Sequence, residues 1–363
     1  MALRPVYGHE RLRARLAAAA GSDQLPASLL LEGPLGVGKQ RLALWLGQLL
    51  LCDRAVAEQL PAPCGSCPQC RYAEGLVHPD LHWVFPRPKL KKSDAKPAEF
   101  WQDLKEAATE RVEADGLWAP SSGSDAIFVD TIRALIDAAS KRPAMARRSV
   151  FVVGNAERMV AQEGADMAAN AFLKLLEEPP AGMTLILTTS EKGALLPTIR
   201  SRVVTLRMAP LSPDEMIAMV RDPAMQRKLG TLREDDAIAA AGGAPGILLA
   251  AGHSEEVVTR ARELVAAALL PASADGTATR VKVAAKQGNA GARGAFSDML
   301  DATTTLLHER TKALVHAGHE ADARRTARAL LEVEQAKRRA YNNISPQLIT
   351  AALLDAMQRA LRA

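Results

Sequence analysis

Residues 33–40 read Gly33-Pro34-Leu35-Gly36-Val37-Gly38-Lys39-Gln40. The segment lies between a short apolar run, Ser28 to Leu31, and a helical pattern that extends to about Cys52. A glycine-rich turn between a strand and a helix is the setting of a phosphate-binding loop. Its glycines let backbone N–H groups converge on phosphate oxygens, and the helix N-terminus adds positive potential. Gly33, Gly36 and Gly38 would form the cradle, and Lys39 would reach the β and γ phosphates. The next residue in a working loop is Ser or Thr, whose hydroxyl holds Mg²⁺. Here it is Gln40, whose amide oxygen sits on a longer side chain.

Working outward, further apolar runs recur at Val150 to Val153 and Leu185 to Thr188, with helical patterns at Thr131 to Ser140 and Met167 to Leu176. This alternation predicts a parallel sheet with helices on both faces. In a nucleotide hydrolase the strand at 150–153 ends in two acids, one organising Mg²⁺ and one polarising the attacking water. This chain continues Gly154-Asn155-Ala156-Glu157. Gly154 and Asn155 take both acidic places, and Glu157 lies a helical step too far on. The metal hydroxyl, the metal carboxylate and the catalytic carboxylate are all missing, so ATP hydrolysis is not expected. For the loop itself two readings stay open: weak ATP binding, or a relic that closes the strand–helix turn.

The chain has 363 residues, enough for two or three domains. Aromatic residues make up 4% of it, and the formal net charge is +5. A mildly basic balance fits a nucleic-acid-associated protein and equally an ordinary solvated surface. No apolar run reaches the roughly 18 residues of a membrane span. The opening MALRPVYGHERLRARL has no apolar signal core, which leads us to expect a reducing cytoplasm. Four cysteines in that compartment are metal ligands sooner than disulfides. Cys52, Cys64, Cys67 and Cys70 follow the spacing C-x11-C-x2-C-x2-C. Two-residue gaps let thiolates converge on one tetrahedral ion, and four thiolates leave no open position, which predicts structural zinc. His78 and His82 lie nearby and are not needed as ligands.

Three regions are expected. An α/β domain spans 1–209, with a zinc module at about 52–70 and an inserted, partly mobile surface excursion at about 87–125 that contains a helix from Glu99 to Glu113. A helical lid spans 210–252, opening with Ser212-Pro213-Asp214-Glu215, a capping box. A helical domain spans 253–363. There Leu330, Val333, Ala336, Leu348, Leu353 and Leu354 read as core and interface. Arg324, Arg325, Arg328, Lys337, Arg338 and Arg339 read as solvated faces or inter-subunit pairs. No module for sequence-specific DNA reading stands out.

Several longer motifs add to this. They are His78-Pro79-Asp80, the run from Val129 to Arg133, and Leu175-Leu176-Glu177-Glu178-Pro179-Pro180. Thr188-Thr189-Ser190 and Thr198-Ile199-Arg200-Ser201-Arg202 complete the set. With these in order, nearly the whole chain resembles the clamp-loader subunits of bacterial DNA polymerase III, a branch of the AAA+ family. The resemblance is to the delta prime type. The motor type, tau/gamma, is expected to keep Ser or Thr after the lysine, an acidic second strand and an arginine where this lid has Ile247. The resemblance implies an AAA+ module, a lid and a C-terminal collar that joins a five-subunit ring with tau/gamma and delta. Through that ring it implies contact with the sliding clamp and primer-template DNA. It also implies that Arg202 projects into a neighbour's ATP site as an arginine finger. Two rival readings are an ATP-hydrolysing tau/gamma-type subunit and a free-standing zinc-containing nucleic-acid-binding protein.

Overall fold

A computed structural model describes residues 3–89, 97–113, 125–159, 165–223, 225–226, 238, 241–251, 255–287, 293–341 and 345–362. Two compact units divide the chain near residue 250. In the first, helix α1 (Glu10–Gly21) leads into β1 (Ser28–Glu32), α2 (Lys39–Leu51) and α3 (Pro68–Glu74). Next come β2 (Leu81–Val84), α4 (Pro97–Glu113), α5 (Val129–Ala139) and β3 (Ser149–Val153). The sequence continues with α6 (Ala165–Glu177), β4 (Met183–Thr189), α7 (Pro197–Arg200) and β5 (Val204–Arg207). Helices α8 (Pro213–Val220) and α9 (Pro245–Ala251) close the unit.

The sheet is five-stranded, ordered β2-β3-β4-β1-β5, and every pairing is parallel. Its central strands, β1, β3 and β4, are the apolar runs read from the sequence, extended by one or two residues. They are buried along nearly their full length, as a parallel sheet covered by helices requires. The two strands that escaped the sequence reading are at the edges. β2 carries His82 and Trp83, and β5 is exposed at both ends and half-buried at Thr205 and Leu206. Neither has the unbroken aliphatic run that marks a central strand.

The excursion at 87–125 differs from the expectation in one respect. Its helix lies on the surface but is docked by one face. Leu104, Ala107 and Ala108 of α4 join the main core, and Arg87 forms a two-bonded ion pair with Asp103 at 2.9 Å. The Arg111 guanidinium lies 3.7 Å from the Phe85 ring centroid and 5.5 Å from that of Trp83. An apolar helix face and a cation over aromatic faces dock the insertion onto the β2 edge. The expectation of mobility falls on residues outside the described set.

The capping box at the start of α8 forms as read. Ser212 Oγ accepts from the Glu215 N–H, and Glu215 accepts from the Ser212 N–H at 2.8 Å. The helix packs with Leu211, Met216, Met219 and Leu248 in a small core of its own.

The second unit is helical: α10 (Glu255–Leu269), α11 (Ala274–Ala285), α12 (Arg293–His316), α13 (Glu320–Tyr341) and α14 (Pro346–Arg362). Val333, Ala336, Leu353 and Leu354 are buried in its core, and Leu330 packs against it. Leu348, read as core or interface, is 67% exposed and so is no part of this chain's core. Arg324, Arg325 and Lys337 pair with Glu320, Asp322 and Glu334 on their own helix.

One buried carboxylate shapes the start of β3. Asp80 accepts from the N–H groups of Ala144, Met145 and Ala146 at 2.6–2.8 Å. Burial alone would raise its carboxyl, but the three donors outweigh it and hold it below the ordinary value. A group so lowered stabilises the fold at neutral pH, and its contribution fades as pH falls through the carboxylate range. Asp80→Asn should therefore cost on the order of 3 kcal/mol in urea unfolding at pH 7. The gap from the natural protein should narrow below about pH 4.

Candidate nucleotide-loop site and cysteine cluster

The loop at 33–40 sits where the sequence places it, between the C-terminal end of β1 and the start of α2. Gly38 caps α2 at φ +95°, a conformation that favours glycine. The cradle residues are in position, but the groups around them are engaged with one another.

Gln40 is the centre of this arrangement. Its amide Nε2 donates to Asn155 Oδ1 at 2.7 Å, and its Oε1 accepts from Trp83 Nε1 at 3.1 Å. A Cβ on Gly154 would stand 2.4 Å from Gln40 Oε1. The three replacements are thus one structural unit and not separate losses. Gln40 fills the space that an acid at 154 would need, and Asn155 is its hydrogen-bond acceptor. Asn155 itself is left-handed, at φ 52°, and its N–H donates to Thr188 Oγ1 at 3.1 Å.

Lys39 is folded back onto its own loop. Its Nζ donates to Gly33 O at 2.8 Å, Pro34 O at 2.7 Å and Ser190 Oγ at 2.9 Å. An ammonium has three donors, and all three are used. Burial lowers its pKa to about 8, partly opposed by the nearby Glu157 carboxylate. Glu157 lies in the short 3-10 turn at Ala156–Met159, where burial pushes its carboxyl up. It faces Lys39 and the Ser190 N–H, and not a metal position beside residue 40.

The lid closes on the same loop. The Gly246 N–H donates to Gly36 O at 2.7 Å, and Ile247 packs beside Gly36. A Cβ on Gly246 would stand 2.8 Å from Gly36 Cα, so two glycines permit the contact. His9 Nε2 bonds Val37 O at 3.1 Å, and the His9 N–H donates to Glu215 of α8.

Arg202 follows α7, well apart in sequence from the loop. Its Nη2 meets Glu177 Oε1 at 2.5 Å, and its Nη1 donates to Thr198 O at 3.0 Å and Ser201 Oγ at 3.2 Å. Its side chain is one-third exposed.

The four cysteines converge. Their sulfurs all lie within 4.8 Å of one another, with Cys52–Cys67 and Cys64–Cys70 at 3.9 Å. A tetrahedral ion with metal–sulfur bonds of about 2.3 Å needs sulfur–sulfur edges of about 3.8 Å, so the donors fit a metal ion. Backbone N–H groups of Ala55, Cys64, Cys67 and Cys70 donate to cluster sulfurs at 3.3–3.4 Å, which favours thiolates. Such donors, from Ser66 and Cys67, bring the Cys64 thiol down to about 6, whereas burial pushes the Cys67 and Cys70 thiols up. His78 and His82 are both otherwise occupied. His78 bonds Gln69 at 2.6 Å and accepts from the Asp80 N–H, while His82 stacks on Phe151.

Sequence reasoning missed Trp83, Ser190 and Gly246. Ser190 closes the motif Thr188-Thr189-Ser190 and Gly246 precedes Ile247, but nothing in their spacing points at Lys39 or Gly36. Trp83 carried no signal at all.

A family model described as DNA polymerase III, delta subunit, matches residues 8–212. The chain belongs to this family. Among curated relatives, DNA polymerase III subunit delta' of Bacillus subtilis is 31% identical over 214 residues, covering 58% of this chain and 51% of that protein. The delta' subunit of Escherichia coli is 28% identical over 270 residues, covering 74% and 64%. The gamma/tau subunit of Mycobacterium bovis is 30% identical over 215 residues, covering 59% and 30%. The chain thus spans about half the length of the curated delta' relatives it matches. No helix among the described residues is long and apolar enough to cross a membrane.

Because Gln40, Gly154 and Asn155 form one unit, restoring a single position should fail. Gln40→Thr strips Trp83 and Asn155 of their partner, which should cost about 1–2 kcal/mol in denaturant unfolding. The same variant should show no ATP turnover. Turnover restored by that change alone would contradict the coupling.

Proposed function

We infer that this chain is a clamp-loader subunit of DNA polymerase III, of the delta prime type, that does not hydrolyse ATP. It takes the AAA+ shape without its motor chemistry. The observation that carries this reading is the Gln40 carboxamide, which fills the place of the metal hydroxyl and the first acid at once. The engagement of all three Lys39 donors and the lid contact at Gly36 support the relic reading of the loop over nucleotide binding. A phosphate would have to displace three acceptors and lift Gly246.

In the ring that this reading implies, tau/gamma subunits bind ATP, and this chain serves as a neighbour to one of their sites. Arg202 is the group it contributes there. A guanidinium meets phosphate oxygens with a planar fork and neutralises charge that builds on the transferring phosphoryl. The helical unit from residue 251 serves as the collar, and delta, the sliding clamp and primer-template DNA are reached through the assembly. Cys52, Cys64, Cys67 and Cys70 hold zinc, which ties the end of α2 to α3 and performs no chemistry on substrate. The compartment is the cytoplasm.

The isolated chain should neither bind ATP in equilibrium dialysis nor hydrolyse it, whereas the loader reassembled with its tau/gamma subunit should hydrolyse ATP when DNA is added. Arg202→Ala should lower turnover at the site it serves by about 10³-fold, seen as loss of one site's share of total ATPase. Unchanged total turnover would remove the arginine from this role. Metal analysis should give one zinc per chain, and chelation should destabilise the fold by several kcal/mol in thermal or urea unfolding.

A further inference from the structure

The pairing of Arg202 with Glu177 joins separate elements of the fold, as Arg87–Asp103 and Arg148–Asp23 also do, and differs from the exposed arginine pairs made within one helix. Arg133, Arg324, Arg325 and Arg359 each pair with an acid one helical turn away. Arg202 and Glu177 stand 25 positions apart and join two separate helix ends. Glu177 is the last residue of α6, and Thr198 O lies in the short α7. Both ends are anchored. Phe172, Leu175 and Leu176 of α6 are buried, and Ile199 of α7 is fully buried. The C-terminal carbonyls of α6 add partial negative charge beside the carboxylate.

Donor arithmetic gives the pairing a meaning. A guanidinium carries five N–H groups in a rigid fork. Among the described residues three contacts engage it: Glu177 Oε1, Thr198 O and Ser201 Oγ. Three acceptors on two anchored helix ends favour one orientation of the group, and two donors remain for a ligand. Two donors suffice for a bidentate grip on a phosphate.

We propose that Glu177 is the positioning residue of Arg202, biasing the guanidinium toward one orientation so that its remaining donors meet the phosphate of a nucleotide on a neighbouring subunit. This rests on the reading of Arg202 as a finger in trans. Glu177 itself touches no phosphate. Its effect is on orientation, so it acts on turnover more than on ATP affinity. An exposed ion pair favours its bonded state by about fivefold or less, which is enough to bias orientation without locking the side chain.

The test uses the full loader, reassembled with its tau/gamma subunit, assayed for DNA-stimulated ATPase across ATP concentrations. The share of turnover abolished by Arg202→Ala measures the site that this arginine serves. Glu177→Ala should remove most of that same share, with KM for ATP little changed. Glu177→Gln keeps an acceptor oxygen and should lose clearly less. The double variant Glu177→Ala with Arg202→Ala should be no worse than Arg202→Ala alone. Thermal unfolding of each variant chain should stay near that of the natural protein.

If Arg202→Ala leaves turnover unchanged, the underlying reading fails. If Arg202→Ala lowers turnover and Glu177→Ala does not, or raises it, the positioning role alone fails. Additive losses in the double variant would likewise overturn it, because they would show that Glu177 acts independently of the arginine.

Discussion

A single carboxamide holds the altered site together. Gln40 donates to Asn155 and accepts from Trp83, so both ends of its half-buried amide are satisfied. A neutral amide needs no metal ion to balance it, whereas a pair of carboxylates in the same place would. A side chain at residue 154 would have to displace this amide. Trp83 is placed by the parallel pairing of β2 with β3, in register with Val152. The Arg111 guanidinium of α4 covers the other side of Trp83 and Phe85. The loop, the sheet edge and the inserted helix therefore stabilise one another through this one side chain.

The fate of Lys39 follows. A buried ammonium needs acceptors or a counter-charge. Where phosphate fills that need in a working loop, here two loop carbonyls, the Ser190 hydroxyl and the Glu157 carboxylate do so. The segment around Gly246 then approaches closely enough for a backbone hydrogen bond from its N–H to Gly36 O. The loop at 33–40 and the segment around Gly246 are thus joined by a direct backbone hydrogen bond.

Much of this was legible in the sequence. The central strands announced themselves as aliphatic runs, because a parallel sheet buried on both faces tolerates little else. The capping box at Ser212 and the spacing of Cys52, Cys64, Cys67 and Cys70 were readable because their partners are close in the chain. The edge strands β2 and β5 were not, since half-exposed edges carry mixed residues. The docking of α4 was hidden for a related reason: a helix with only Leu104, Ala107 and Ala108 buried looks like a surface helix until its aromatic and ionic partners on β2 are known.

Sequence alone determined that Ser or Thr, two acids and the lid arginine are absent, and that Arg202 and four cysteines are present. It could not show that residues 40, 154 and 155 meet in one cluster, because 115 residues separate Gln40 from Asn155. Nor could it show that Arg202 leans on Glu177, or that Lys39 is consumed by its own loop. Those facts depend on which strands lie side by side and how close two glycines can bring a lid. Local spacing encodes what a residue can do; the folded neighbours, through finite donors, acceptors and space, decide what it is left free to do.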